Sequence, residues 1–204
     1  MINTDDNIKK MKQKVEILIN ELIIGISCLK ILENSKDYLK VFDNTRTAHI
    51  VNMITWSLYQ SAILNIRKVF EPNKTCSLKK IIKEINANKN LLKNSYKNDK
   101  VFNQLLDELN QKWDIFWKDP LTKAIQSGRG SIAHMRELKT EKLPSTEKQM
   151  KVAYKLIDIL ENNVHPLLEE GTSVCYSIEI DEIAYLSECF WKNIYSDNKF
   201  RRIR

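Results

Sequence analysis

The stretch NTRTAHIVNMITWSLYQSAILNIRKVFEP, residues 44–72, decides the fold. Its apolar residues Ala48, Val51, Ile54, Leu58, Ala62, Ile66 and Val69 recur every three or four positions. That period puts one face of an α-helix against a core, and a strand would alternate instead. The helix begins near Asn44 or Thr45 and ends at Phe70, because Pro72 lacks the amide hydrogen that would continue it.

The same pattern runs in both directions from there. A first helix spans about Asp5 to Glu33, with Asp5 and Asp6 at the end where the helix dipole favours negative charge. Ser77 can cap a short third helix to about Ile85, and the Asn/Lys-rich residues 86–97 read as a loop. A fourth helix from about Asn98 to Trp117 presents Val101, Leu105, Leu109, Trp113, Phe116 and Trp117. Asp119-Pro120 is a restart signal, since Asp caps and Pro suits the first helical position. A long helix starts at Pro144-Ser145-Thr146, with capping-box spacing between Thr146 and Gln149, and is closed by Gly171. A last helix covers about Asp181 to Ile194. These elements predict an all-α, antiparallel helical bundle, in one domain over residues 1–204 with no linker or internal repeat.

Composition agrees. The 204 residues contain only 4 Gly and 4 Pro, too few for the tight turns of an all-β fold or the phosphate-binding turns of a dinucleotide fold. The most apolar run, Ile17 to Leu32, is interrupted by Asn20, Glu21 and Lys30, and the start at Thr4-Asp5-Asp6 does not suit a secretory leader. The expectation is a cytoplasmic chain without a membrane anchor. Cys28, Cys76, Cys175 and Cys189 lie far apart with no CxxC, and read as small buried apolar residues. The net charge of +7 permits a polyanionic partner. Lys far outnumbers Arg, however, and residues 196–204, ending Lys199-Phe200-Arg201-Arg202-Ile203-Arg204, read as a basic, mobile tail.

Few residue patterns carry chemistry. Glu161 and His165 share a helix face but supply too few ligands for a metal, and no Glu-x-x-His pair of a di-iron bundle exists. Neither a metal nor another cofactor is therefore expected. Glu179, Asp181 and Glu182 sit where a helix start accounts for them. No Gly-x-Ser-x-Gly elbow is present. The Trp113, Phe116 and Trp117 stripe reads as core or subunit interface rather than a stacking platform for bases. Arg46 and His49 lie three apart on one face and read as surface groups.

One arrangement stands apart, Arg129-Gly130-Ser131-Ile132-Ala133-His134. On a regular helix residues five apart diverge by about 140°. Gly128 and Gly130, half the glycines of the chain, loosen the backbone there, so that the guanidinium can swing toward the imidazole. A helix starting near Ser131 would also aim free amide hydrogens at an anion.

This Arg-x4-His pattern in an all-helical chain resembles the HEPN superfamily (higher eukaryotes and prokaryotes nucleotide-binding). Residues Asn65-Ile66-Arg67-Lys68-Val69-Phe70-Glu71-Pro72, then Cys76-Ser77-Leu78-Lys79, and finally Ala133-His134-Met135-Arg136-Glu137, look like its abortive-infection type-U branch. The resemblance covers roughly Arg46 to Leu168. It implies a four-helix core with two or three extra helices. It also implies a metal-independent endoribonuclease, toxin-like or phage-defence related, whose two Arg/His motifs meet in the cleft of a homodimer. RNA would be the substrate, and a cognate antitoxin or operon partner is expected. Arg129 would hold the scissile phosphate through its planar fork, and His134, with an ordinary pKa near 6.5, would move protons. Ser131 and Arg136 are further substrate-binding candidates. The residue after the Arg is often polar in active members and is Gly130 here, so two alternatives stay open: an inactive HEPN-fold interaction or toxin-neutralising module, and an unrelated helical-bundle binding protein.

Overall fold

The computed structural model describes residues 4–42, 48–71, 76–127, 145–171 and 176–196. Among these the chain is all-α. Helix α1 is Thr4–Phe42, α2 Ala48–Phe70, α3 Leu78–Ala87, α4 Lys89–Lys93, α5 Asp99–Lys118 and α6 Pro120–Ser127. Helix α7 is Thr146–Ile159, followed without a break by a π-helical turn, Leu160–Val164, and α8, His165–Leu168. Helix α9 is Ser177–Ser196.

Helix α1 is the spine, and α2, α3, α7, α8 and α9 all pack on it. Its Met11, Val15, Leu18, Leu22, Ile26 and Leu29 are buried in one stripe, three or four residues apart. Helix α2 runs antiparallel to it. Glu21 of α1 meets Lys68 near the end of α2 at 2.8 Å, and Gly25 faces Ala62 and Ile66. A Cβ on Gly25 would stand 2.8 Å from Ile66 Cγ1, so the missing side chain is what lets the two helices approach this closely. Helix α9 also runs antiparallel to α1. Asn34 donates to the Ala184 carbonyl, and one turn earlier the Ile31 carbonyl accepts from Trp191 Nε1 at 3.0 Å.

The sequence signals for helix ends hold in most places. Asn98 caps α5 by accepting from Lys100 N at 3.0 Å, and Asp119 Oδ1 accepts from Leu121 N at 2.8 Å where α6 begins at Pro120. Gly171 has φ of 80°, as a helix-closing glycine should. Four expectations need correction. Helix α1 continues past Glu33 to Phe42, and the 86–97 stretch contains α4. The cap of α7 is Ser145, whose Oγ accepts from Lys148 N, while Gln149 of the expected capping box is fully buried instead. Along α5, Leu109 and Phe116 are buried and Leu105, Trp113 and Trp117 pack half-buried against the core, as expected, but Val101 is exposed and Phe102 and Leu106 are buried beside the expected stripe.

Helix α2 departs in a different way. Ala62, Ile66 and Val69 of its apolar stripe are fully buried, but Ile54 is 49% exposed. The stripe continues beyond the part of the core that this chain covers.

Candidate functional site

Arg129, Ser131, His134 and Arg136 all belong to residues 128–144, outside the described residues, as does Arg46. What the structure defines is the frame that this segment joins: the end of α6 on one side and the Ser145 cap of α7 on the other. Helix α6 packs on α2, α5 and α7. The Asp119 carboxylate at its start is bound to Lys155 of α7, and the hydrogen bond from that ammonium holds the carboxyl below the usual carboxylate range. Thr122 and Ile125 are buried beneath α6. On α2, Trp56 and Tyr59 stack at 5.7 Å between ring centroids. Tyr59 is hydrogen-bonded to the buried Gln149 in the first turns of α7; burial pushes its hydroxyl up to about 12, and the Gln149 bond opposes that shift. Its phenol is therefore protonated throughout the neutral range. Both anchor points are fixed by packing and by named polar contacts.

Of the upstream half of the pattern, residues 65–71 and 76–79 are described, and they are structural. Arg67 and Glu71 are each 7% exposed and face each other across one helical turn at 3.3 Å. Phe70 between them is fully buried, with its ring edge-on to Phe116 and Trp117. Ser77 is fully buried at the N-cap position of α3, but its hydroxyl makes no capping hydrogen bond there, contrary to the expectation. The residues that look like a motif in sequence thus tie the end of α2 to α5 and α3. Trp113 stacks on Phe116, and Lys79 Nζ lies 5.0 Å above Trp117, so the aromatic stripe packs within the chain.

Of the other candidates, His49 is exposed at the start of α2. Glu161 and His165 come together with a residue the sequence did not single out, Tyr176. The Tyr176 hydroxyl is hydrogen-bonded to His165 Nε2 at 2.7 Å, and the Tyr176 amide donates to Glu161. The pair clamps the start of α9 to the end of the long helix. The π-helical turn between them has a readable cause. Pro166 has no amide hydrogen, and its ring would strike the carbonyl of Asn162 in a regular helix; the widened turn moves that carbonyl aside. Among the cysteines, Cys28 is buried and Cys76 and Cys189 are half-buried, all as free thiols; Cys175 lies outside the described residues.

Burial lowers the pKa of His165 below its ordinary 6.5, and Lys12 adds to the effect while Glu16 and Glu169 oppose it. The unfolded chain therefore binds more protons here than the folded chain does. The stabilisation is complete above pH about 6.5 and is lost as pH falls through and below that value. The melting temperature should drop between pH 7.5 and pH 5.5, and His165→Gln should flatten that part of the profile. An unchanged profile in the variant would assign the dependence to another group.

An all-α bundle built on this spine, in a chain whose sequence carries the Arg-x4-His pattern, agrees with the HEPN class. Residues 8–167 match the family model of AbiU2, an abortive-infection branch of HEPN proteins, and the chain belongs to that family. Curated proteins similar to part of the chain are probable nicotinate-nucleotide adenylyltransferases. Those of Borreliella burgdorferi and Borrelia garinii subsp. bavariensis are 30% identical over 104 residues, which is 51% of this chain and 50% and 49% of theirs. That of Borreliella afzelii is 31% identical over 104 residues. The chain spans about half the length of the curated relatives it matches. No solved structure matches it significantly. No helix among the described residues is long and apolar enough to cross a membrane.

Proposed function

We propose that the chain is a metal-independent endoribonuclease that acts as a homodimer, with Arg129 and His134 of both copies in one cleft. The observation that carries this reading is the Arg-x4-His sequence within a chain that belongs to the AbiU2 family. RNA cleaved by its own 2′-hydroxyl needs a base to take that proton, an acid to protonate the leaving 5′-oxygen, and a cation for the phosphorane. Two imidazoles and two guanidiniums in one cleft supply all three. Ser131 and Arg136 would add donors to the flanking phosphates. A toxin or phage-defence role with a neutralising partner agrees with the same family.

The test is incubation of the purified protein with RNA in excess EDTA. Products ending in a 2′,3′-cyclic phosphate, with no cut at a 2′-deoxy position, are the expected result. Cleavage that EDTA abolishes would replace this reading with a metal-dependent one.

Gly130 favours a second reading, an inactive HEPN-fold module that binds or neutralises a partner, since a polar residue is common at that place in active members. It predicts a dimer that cleaves no RNA. The adenylyl transfer named for the Borreliella proteins is not adopted. The likeness covers half of each chain, no strand occurs among the described residues, and the single Gly-x-Gly lacks the further glycine of a phosphate-cradling turn.

A further inference from the structure

From His49 to Ile66 helix α2 contains no Asp, Glu, Lys or Arg. A chain that is 29% charged would place about five charges in eighteen positions. A helix buried all round would account for this, but α2 is not buried. Ile50 is 58% exposed, Met53 58% and Ile54 49%, and Ser57 continues the same i, i+3, i+4, i+7 line. Beside this ridge lies an apolar groove of about 420 Å³, lined by Ile31, Ile54, Leu58, Ile183, Leu186 and Trp191. On the far wall of the groove, α9 exposes Tyr185 and Leu186, 67% and 64%.

We infer that this face of α2 and α9 is covered by the same face of a second copy, across a two-fold axis. The inference rests on the dimer proposed above and assigns its surface. An apolar ridge next to an apolar groove on one surface is self-complementary, because rotation by a half turn lays each ridge in the other copy's groove. The ridge offers no charge for a differently charged partner to read, and interface cores are depleted in charge in the same way. Area supports a second copy. At about 200 Å² for a fully exposed large side chain, Ile50, Met53, Ile54, Tyr185 and Leu186 expose about 600 Å², so a symmetric pair would remove about 1,200 Å² from water, the lower bound for specific interfaces. The flank carries Asp181 and Glu182 exposed on α9, which repel both RNA and an anionic membrane, while Glu188 is paired with Lys192.

Sedimentation equilibrium tests this. The wild type should have twice the chain mass of 24.0 kDa. Met53→Asp and Leu186→Asp should each weaken dimerisation at least a hundredfold with unchanged helical circular dichroism. Ile115→Asp, at a site 62% exposed on α5, should leave the mass unchanged. Should an aspartate variant unfold, Met53→Gln and Leu186→Gln keep the test: both should shift the equilibrium toward monomer, and a dimer of wild-type strength in both overturns the assignment. A dimer that survives both aspartates overturns this face alone and leaves the shared-cleft reading intact. A wild type that is monomeric at every concentration overturns both and gives the face to another protein.

Discussion

His134→Ala should abolish RNA cleavage while circular dichroism and the dimer mass stay as in the wild type. The expected loss is large because a positioned acid or base contributes about 10²–10⁴-fold, and in a symmetric cleft one substitution removes both groups. Two other proton-bearing groups among the described residues are already committed. Tyr59 is held protonated by burial, and His165 is engaged with Tyr176. Arg129→Lys should also fall steeply, since an ammonium keeps the charge but loses the planar fork that holds two phosphate oxygens. The measurement is the single-turnover rate on a labelled RNA. Wild-type cleavage by His134→Ala would remove the nuclease assignment, and a wild type that is inert on every RNA, yet dimeric, would select the inactive module.

Arg67→Ala should destabilise the fold by about 3–5 kcal/mol, the usual cost of leaving one member of a buried ion pair without its partner. The Glu71 carboxylate would remain 7% exposed beside Phe70, without the guanidinium now 3.3 Å away. The double variant Arg67→Met, Glu71→Leu should recover most of the loss, because two apolar side chains of similar volume leave no stranded charge. Urea denaturation of the three chains checks both statements. A single variant within 0.5 kcal/mol of wild type would mean that the carboxylate is reached by water. Loss of RNA cleavage in the folded double variant would mean that the pair also serves the site, whereas a stabilising role alone leaves cleavage intact.

The upstream pattern and the Arg-x4-His pattern look alike in sequence, as short runs of charged residues near Gly or Pro. Burial makes the upstream one structural. Arg67 points into the bundle because Ile63, Ile66 and Phe70 on the same helix are fully buried, and a long side chain among them has nowhere else to go. The candidate site was legible in sequence as residue types and spacing, at Arg129 and His134. Which face two copies share was not legible, because exposure is a property of the packed chain. Ile54 and Ile66 both belong to the three-or-four-residue apolar pattern read along α2, yet one is half-exposed and the other fully buried.

The amino-acid sequence by itself determined the helices and the family. A 3.6-residue apolar period and the scarcity of Gly and Pro admit no other secondary structure, and caps such as Asn98, Asp119 and Gly171 act within a few residues of themselves. Tertiary structure decided what depends on residues far apart in the chain. It set the burial of Phe102 while Val101 stays exposed on α5, the clamp of Tyr176 by Glu161 and His165, and the seat of Ile66 against the bare Cα of Gly25. Those outcomes follow from close packing, in which each side chain settles where its neighbours leave volume, and no local period encodes that.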